Sequence, residues 1–377
     1  MTHHNGLGGP PPEIIHEWLE PIGGAENVID ELMAAWPTSR VTCLWNDAPE
    51  RFPPDRVRET WLARTMARRS KPLAVLLSMT AMRHLGYSDA KWTLASSHLF
   101  AHHARFSGPA RGARRYAYVY TPARYIWSPE LDPRGNNLLV RAVASVLKVP
   151  DRRSARNLFS VAAISNVVAD RISKYWGVTA RVIYPPVDIE SLAQLATEPL
   201  TDGELDILRD LPDDFLLGAS RFVPYKRLDQ VIALGEKTRM QVVIAGDGPL
   251  KEELQLAAQH STTPVRFVLA PSRRLLAELY TRATAYVFPP NEDFGIMPVE
   301  AMAMGTPVVG LSVGGTSETV IHGKTGILLD NFDDIPDNLM RDVLSLRSDD
   351  CVERANEFRP QRFDVALRDW LSREVNE

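Results

Sequence analysis

Two glutamates eight residues apart lie in the segment NEDFGIMPVEAMAMGTPVVG, and they are Glu292 and Glu300. Pro298 suits the first turn of a helix, so the segment predicts a helix over Val299–Met304 with Glu300 in its first turn and Glu292 on the preceding loop. Backbone N–H groups at such a helix start form an anion site. The residues that would supply them are Phe294, Gly295 and Ile296. The alternative is an ordinary helix with two surface glutamates.

A cationic loop, SRFVPYKR, lies at Ser220–Arg227 between an apolar strand pattern and a helix pattern. Arg221 can hold a phosphate through two N–H groups, and Lys226 adds a compact positive charge. An arginine and a lysine at this spacing suit a diphosphate. The alternative is a solvated basic loop.

Two glycine turns and one histidine follow other strand patterns. Gly23-Gly24 and Gly246-Asp247 would let a ligand approach the backbone, although any strand-to-helix turn can use glycine. His98 follows Ser-Ser at the end of a strand pattern, where a polar side chain faces the ligand cleft of a doubly wound fold. It can bind a hydroxyl or transfer a proton, or it is merely structural.

Strand and helix patterns alternate along the chain, which indicates parallel sheets with helices on both faces. The strand patterns are Glu13–His16, Val41–Trp45, Trp92–Ala95, Tyr116–Tyr120, Phe215–Ala219, Gln241–Ala245, Val265–Leu269 and Ala285–Phe288. The helix patterns are Ala25–Trp36, Trp61–Arg69, Pro72–Leu85, Leu228–Arg239, Pro249–Gln259 and Arg273–Thr281.

The pattern breaks at YPPVD, where two prolines remove backbone donors and indicate a linker. We therefore expect two Rossmann-like domains with a ligand cleft between them. The predicted divisions are a flexible extension over 1–12, a first domain over 13–186, a second domain over 187–359 and a terminal segment over 360–377.

Composition excludes several classes of protein. With 45% hydrophobic and 24% charged residues, the 377-residue chain is typical of a globular protein. No apolar run is long enough for a transmembrane helix, and two cysteines are too few for a disulfide scaffold. A net charge of -4 argues against nucleic acid as partner. There is no P-loop, HExxH or Asp-x-Asp motif, so we expect no metal site.

The charge is unevenly distributed. Residues 51–174 contain 22 Lys+Arg against 7 Asp+Glu, which suggests an anionic partner, with solvated arginines as an equal alternative. Within them, Trp61–Leu85 alternates basic and apolar residues and could lie on an anionic membrane. Its apolar residues could instead form the core of the first domain.

Several motifs in order resemble one known family: HEWLEPIGGAE, ASSHLF, YTPARYIW, YPPVD, SRFVPYKRLD, AGDGPL and EDFGIMPVE. They are similar to the retaining GT-B glycosyltransferases of family 4, and most similar to the mannosyltransferase branch that builds bacterial polysaccharides and lipid-linked oligosaccharides. The resemblance covers about Ile14 to Phe363. It implies an α/β GT-B fold of two doubly wound domains, with a carboxyl-terminal helix that crosses back to the first domain.

The resemblance also implies roles. Arg221 and Lys226 match the pair that neutralises the donor diphosphate, and Glu300 matches the glutamate that holds the ribose hydroxyls. Glu292 matches the residue near the reacting sugar, and His98 matches a histidine of the cleft. The remaining donor-binding positions are Gly23, Gly24, Gly246, Asp247, Phe294, Gly295 and Ile296.

These roles imply a hexosyltransferase that needs no metal. Its donor would be a nucleotide sugar, with GDP-mannose as the first choice and a UDP-sugar next. The acceptor would be a glycan or a lipid-linked sugar, and the protein would be cytoplasmic or peripheral at the inner face of the membrane. The alternatives are a nucleotide-sugar epimerase and a sugar-nucleotide-binding subunit without activity of its own.

The sequence departs from the family pattern at two positions. Tyr120 stands where relatives often have histidine, and its hydroxyl does not titrate near neutrality. Asn27 stands where the glycine loop often leads to an arginine.

Overall fold

The computed structural model describes residues 10–21, 23–69, 71–128 and 138–375. The chain divides into two compact units. The first unit ends at Pro186 and resumes at Phe363, and the second unit is Val187–Arg362. The second boundary thus differs by three residues from the one expected.

The first unit is built on a seven-stranded sheet in the order β5-β3-β1-β6-β7-β8-β9, and all its paired strands are parallel. A separate parallel pair joins β2 and β4. The strands are β1 Glu13–His16, β2 Trp18–Leu19, β3 Arg40–Cys43, β4 Trp45–Asn46, β5 Val57–Glu59, β6 Trp92–Ser97, β7 Arg114–Val119, β8 Ser160–Ala163 and β9 Arg181–Val182. The helices are α1 Gly24–Ala35, α2 Lys71–Met82, α3 Arg124–Trp127, α4 Leu138–Arg156 and α5 Asn166–Trp176.

Part of the predicted amino-terminal extension belongs to the first unit. Residues 1–9 of the predicted flexible segment lie outside the described residues. Pro12 is buried, and the carbonyl of Pro10 accepts a hydrogen bond from the Trp92 indole at 2.8 Å. Residues 10–12 are therefore part of the first unit rather than a flexible extension.

Two sequence-based elements of the first unit were wrong in detail. The Val41–Trp45 pattern is two strands, because the chain turns at Leu44, whose N–H bonds the Glu17 carbonyl at 2.7 Å. The expected helix over Trp61–Arg69 is two 3₁₀ turns, Trp61–Arg64 and Met66–Arg69. Thr65 separates them, since both its N–H and its hydroxyl bond the Leu62 carbonyl.

The second unit contains a six-stranded sheet in the order β12-β11-β10-β13-β14-β15, again with parallel pairs throughout. The strands are β10 Phe215–Ala219, β11 Gln241–Gly246, β12 Val265–Leu269, β13 Ala285–Phe288, β14 Val308–Leu311 and β15 Gly326–Leu329. The helices are α6 Ile189–Leu195, α7 Asp202–Arg209, α8 Leu228–Thr238, α9 Lys251–His260, α10 Arg273–Arg282, α11 Ile296–Ala303, α12 Thr316–Thr319, α13 Leu339–Leu344 and α14 Ser348–Ala355. Strands β10 and β13 are buried along their whole length, as expected for a parallel sheet covered on both faces.

The last helix, α15 (Pro360–Val375), belongs mostly to the first unit. Its buried face repeats at helical spacing through Phe363, Leu367 and Trp370. The Trp370 ring meets Tyr116 edge to face at 5.9 Å, and its indole N–H bonds the Ser160 hydroxyl at 2.9 Å. The first unit therefore needs the end of the chain to complete its core. No helix among the described residues is both long and apolar enough to cross a membrane.

Candidate functional site

The cationic loop and the glutamate loop of the second unit lie side by side. The loops follow β10 and β13, which are neighbours in the sheet, and parallel strands end at the same edge. The Lys226 ammonium makes an ion pair with the Glu292 carboxylate and lies 5.7 Å from the centre of the Phe288 ring. Both charged side chains are largely shielded from solvent, with 11% and 24% of their surfaces exposed.

Arg221 lies at the start of the same loop and is exposed. One of its Nη2 hydrogens is donated to the Tyr225 hydroxyl at 2.8 Å, and no carboxylate in the described part of the chain pairs with it. Its remaining donors are therefore available to an anion.

Helix α11 begins at Ile296, earlier than the predicted Val299. Gly295 precedes it with φ = 96°, a left-handed conformation that favours glycine, and no side chain caps the helix. Among the described residues, no side-chain group therefore occupies the N–H groups of Ile296 and Met297, whereas Pro298 has none. Because of the earlier start, Glu300 lies in the second turn of α11, which corrects its expected place in the first.

Glu300 is partly buried at the side of α11. The Tyr280 hydroxyl donates to its Oε2 at 3.3 Å. Burial raises the pKa of the Glu300 carboxyl, although the charge of Arg273 and the Tyr280 hydrogen bond act in the opposite direction. The carboxylate is therefore positioned by one hydroxyl and keeps acceptor capacity.

The glycine turn after β11 packs against the cationic loop. The Asp247 carbonyl accepts a hydrogen bond from the Phe222 N–H at 2.8 Å, and its carboxylate accepts one from the Gly248 N–H at 2.8 Å. Gly246 ends β11 beside Ser220, whose N–H bonds the Ala245 carbonyl. In the structure these residues support the loop of Arg221, and their predicted contact with the donor stays a prediction.

In the first unit, three aromatic side chains gather at the ends of adjacent strands β1, β6 and β7. His98 and His16 have ring centres 5.4 Å apart, and each ring lies 6.4 Å from Tyr120. Trp18 closes the far side of His98 at 4.8 Å. The His98 side chain keeps 27% of its surface exposed, so it can reach a ligand.

Tyr120 is held by two hydrogen bonds. Its hydroxyl lies 2.8 Å from the Ser96 hydroxyl and donates to the Ala25 carbonyl at 3.2 Å. Burial raises the pKa of the phenol well above its usual value. Tyr120 therefore links the β7 end to the start of α1 and does not titrate near neutrality.

The Gly23-Gly24 turn faces a carboxylate. A Cβ atom at Gly23 would lie 2.0 Å from Glu26 Oε2, so a larger residue there would have to displace the Glu26 carboxylate, which accepts the Glu20 N–H at 3.1 Å. This negative charge opposes a donor phosphate at the turn. The expected phosphate contact at Gly23 and Gly24 thus gains no support from the geometry.

Glu17 is a residue of this cluster to which the sequence analysis gave no role. It is completely buried directly after β1, and its carboxylate lies 3.1 Å from His98 Nδ1. One feature of the sequence could have indicated a role for Glu17. It stands in HEWLEP, one position beyond a predicted strand end, where charged residues meet the loops that follow neighbouring strands.

Behind Glu17, a second buried carboxylate is saturated with donors. Asp151 Oδ1 lies 3.0 Å from Nε2 of both His102 and His103. Its Oδ2 accepts the indole N–H groups of Trp127 and Trp176 at 2.7 and 2.8 Å. The neighbouring imidazoles, chiefly His102, hold the pKa of the Asp151 carboxyl well below its usual range against the effect of burial.

The His102, His103 and Asp151 side chains also have the composition of a metal site, which no sequence motif indicated. Their hydrogen bonds argue for a different role. Arg83 can only donate to His103 Nδ1, 3.2 Å away, so the proton of His103 is on Nε2, where it faces Asp151. In the structure the cluster is a hydrogen-bonded network, and a metal ion would have to displace the Nε2 proton of His103.

Comparison with protein families gives one match. Residues 206–362 match the family model described as Glycosyl transferases group 1. The second unit thus matches the group 1 glycosyl transferases.

Curated relatives match over part of their length. A D-inositol 3-phosphate glycosyltransferase of a Nocardioides species is 37% identical over 149 residues, which are 33% of this chain and 32% of that protein. The alpha-1,3/1,6-mannosyltransferase alg-2 of Neurospora crassa is 28% identical over 214 residues, 46% of this chain and 45% of that protein. The chain therefore spans between a third and a half of these relatives.

Solved structures match over nearly the whole chain. The Anabaena protein HepE in complex with UDP has a TM-score of 0.66 at 18% identity, covering 96% of this chain and 99% of that one. The lipopolysaccharide outer core galactosyltransferase WaaB has a TM-score of 0.64 at 17% identity, covering 96% and 98%. The chain has the GT-B fold, as the sequence predicts.

We expect the buried histidine network to make the first unit sensitive to acid. Burial, followed by the charge of His102, lowers the pKa of His103 to about 4 from 6.5. Between pH 6.5 and pH 4 the His103 ring is protonated in the unfolded chain but not in the folded one. The free energy of unfolding therefore decreases as the pH drops, by about 3 kcal/mol at pH 4. Urea unfolding followed by tryptophan fluorescence between pH 7 and pH 4 measures this loss.

His103→Gln should show a shallower loss over the same pH range. Some slope should remain, because burial also lowers the pKa of His16. His84→Gln is the matched control, since His84 is exposed and should leave the slope unchanged. An equal slope in wild type and His103→Gln would contradict the prediction.

Proposed function

We propose that this protein is a glycosyltransferase that moves a hexosyl group from a nucleoside diphosphate sugar to an acceptor hydroxyl. The observation that carries the proposal is the edge of the second sheet, where Arg221, Lys226 and the uncapped start of α11 offer positive charge beside Glu292 and Glu300. The family match over residues 206–362 supports it, and so do the names of the relatives, which are those of transferases. Transfer is thereby favoured over epimerisation.

The proposed chemistry depends on the leaving group. When the bond between the sugar and the diphosphate breaks, negative charge develops on the phosphate, and preorganised cations and N–H groups stabilise it. Arg221, Lys226 and the N–H groups at Phe294, Gly295 and Ile296 would do this. The acceptor oxygen forms the new bond to the sugar, and the leaving phosphate takes its proton on the same face, which retains the configuration.

The other roles follow the same proposal. Glu300 would hold the ribose hydroxyls and Glu292 the sugar hydroxyls, with the second unit binding the donor and the first unit the acceptor. The acceptor would be a glycan or a lipid-linked sugar.

GDP-mannose is our first choice of donor and a UDP-sugar the second. The mannosyltransferase alg-2 supports the first, and the complex of HepE with UDP supports the second. Calorimetric titration with GDP, UDP and ADP, followed by transfer assays with the sugars of the preferred nucleotide, tests both. Tight binding of none of the three would overturn the proposed function.

Loss of either cation should impair transfer. Arg221→Ala and Lys226→Ala should each lower kcat/KM by about 10²-fold, because each removes a preorganised stabiliser of the leaving charge. Arg227→Ala is the control in the same loop, since Arg227 is half-exposed and lies near Asp229. Steady-state kinetics measure the effect, and near-wild-type values for both variants would remove the assignment.

Substitutions of the two glutamates should affect different steps, Glu300 the binding of the nucleotide and Glu292 the transfer. Glu300→Gln should weaken binding of free nucleoside diphosphate about tenfold, the effect of one hydrogen bond to a charged group. Glu292→Gln should not weaken that binding, because the Lys226 ammonium remains for the phosphate, and it should impair transfer. Calorimetry and initial rates distinguish the two, and the opposite pattern would exchange the roles.

Transfer should need no metal ion, because protein cations supply the charge stabilisation at the diphosphate. Activity should therefore persist in excess EDTA. The assay is repeated with added Mg²⁺ and Mn²⁺. Complete loss in EDTA, restored by either ion, would contradict the prediction.

The basic segment Trp61–Leu85 gives a test of membrane binding. Leu62 and Met82 are buried in the first unit, whereas Met66 and Trp61 are 71% and 45% exposed beside the exposed Arg64 and Arg69. Part of the segment therefore forms core, as the alternative expected. The exposed part could contact anionic lipid, where each cation contributes about 1 kcal/mol.

Vesicle flotation tests this contact. The protein should float with anionic but not with neutral vesicles, and the Arg64→Glu, Arg69→Glu double variant should float less. Arg68 is left unchanged because it pairs with Asp47. Arg341→Glu, an exposed change in the second unit, is the control. Wild-type protein that ignores anionic vesicles at low salt would favour a soluble acceptor.

A further inference from the structure

The Glu17 carboxylate is a buried charge with an unusually complete set of donors. It accepts hydrogen bonds from three backbone N–H groups of the loop after β6, at 2.8–3.2 Å, and from the Ser97 hydroxyl at 3.2 Å. The backbone donors belong to His98, Leu99 and Ala101. Burial alone would raise the pKa of the Glu17 carboxyl, but His98 and these donors hold it well below its usual range. Glu17 is therefore ionised.

The ionised Glu17 determines which nitrogen of His98 is free. Nδ1 lies 3.1 Å from Glu17 Oε2, and a carboxylate can only accept, so the Nδ1 atom carries a proton. No group in the described chain accepts from Nε2, and the ring is partly exposed. Nε2 is thus the atom of His98 that a ligand can meet.

The surroundings of His98 also favour its charged form. Burial lowers the pKa of His98, and it also lowers that of the neighbouring His16. For His98, the charge and hydrogen bond of Glu17 outweigh the effect of burial, with smaller contributions from Glu26 and Glu20, and its pKa is raised above 6.5. The remaining titratable neighbour, Tyr120, is neutral near pH 7 because burial raises its pKa. The contact with the ionised Glu17 therefore favours the charged ring of His98, which has an N–H at both nitrogens.

We infer that Glu17 is the positioning residue that holds His98 as a cationic hydrogen-bond donor, presenting Nε2–H to an oxygen of the bound substrate. The inference rests on the proposed function for the nature of that substrate, whose phosphate or sugar hydroxyl would supply the oxygen. It excludes the other role considered for His98, removal of a proton from the acceptor, because a doubly protonated ring has no lone pair to accept one.

A second layer of side chains fixes Glu17. The Ser97 hydroxyl lies 3.2 Å from both Glu17 Oε1 and His102 Nδ1, and His102 Nε2 lies 3.0 Å from Asp151. The network from Asp151 to His98 is therefore continuous and buried. Since both carboxylates are surrounded by fixed donors, neither can turn away from its partner without leaving a buried charge unpaired.

Nuclear magnetic resonance of the histidine rings tests the inference without any substrate. In wild type, the His98 signals, assigned by their loss in His98→Asn, should show a doubly protonated ring that titrates above pH 6.5. In Glu17→Gln the titration should move to lower pH, since burial then loses its main opponent. Glu20→Gln is the matched control, because it removes a nearby negative charge of smaller influence, and should shift the titration less.

A wild-type His98 that titrates below pH 6.5, or one with a neutral ring protonated only on Nε2, would overturn the inference. This measurement needs no variant at Glu17, so it decides the matter even if Glu17→Gln does not fold. A shift in Glu20→Gln as large as that in Glu17→Gln would also overturn it. The charge of His98 would then depend on the general negative potential around it and not on its direct contact with Glu17.

Kinetics test the positioning role. Glu17→Gln should lower kcat/KM about 10²-fold, as for loss of one preorganised donor. The Glu17→Gln, His98→Asn double variant should be no slower than His98→Asn alone, because Glu17 acts through His98. Independent, multiplicative losses would contradict this. Absence of transfer with every donor, together with the expected titration, would reject the proposed function and leave the inference about Glu17 and His98 standing.

Discussion

The parallel direction of every strand pair in the two main sheets is the constraint on which the candidate sites depend. Parallel strands end at one edge, so loops that are far apart in sequence meet there. In the second unit this brings Lys226 to Glu292, 66 positions along the chain. In the first unit it brings Glu17 to His98, although 81 positions separate them. Polar side chains that directly follow different apolar strands thereby form clusters at one edge of each sheet.

Burial then decides what those clusters can do. A carboxylate loses its hydration when it is buried and is stable as an ion only if fixed donors replace the water. Glu17 and Asp151 are both provided with such donors, whereas Glu300 has a single hydroxyl from Tyr280 and a raised pKa. The saturated carboxylates are consequently rigid parts of the protein. The less saturated Glu300 is the one with capacity for ligand hydroxyls.

Much of the fold could be predicted from sequence because buried parallel strands are short apolar runs, as at Phe215–Ala219 and Ala285–Phe288. The predictions were wrong where a local hydrogen bond or backbone conformation overrides the pattern of hydrophobic residues. Thr65 breaks the expected helix over Trp61–Arg69, and Gly295 starts α11 before the proline that suggested its first turn. Backbone geometry of this kind leaves little trace in hydrophobic periodicity.

The candidate site was predictable to the extent that its residues follow strands directly. Arg221, Lys226 and Glu292 satisfied that condition. Glu17 satisfied it as well, but a single glutamate carries no signal of the donors that surround it, since these come from a loop 80 positions away. The glycine turn shows a second limit: the pattern of Gly23 and Gly24 gives no sign of the Glu26 carboxylate that lies beside Gly23, and the predicted phosphate contact there stays a prediction.

The hydrogen bonds and ion pairs of the carboxylates indicate whether any of them could act as a covalent nucleophile. A covalent nucleophile must be a free carboxylate that can approach a sugar carbon. Glu17 is enclosed by five donors, Glu292 is paired with Lys226, and Glu300 is bonded to Tyr280. Apart from Glu300, which keeps capacity for ligand hydroxyls, the groups with unused capacity are donors: Arg221, the start of α11 and Nε2 of His98. Such an excess of donors is suited to stabilising negative charge on a departing phosphate, and much less to attacking the sugar.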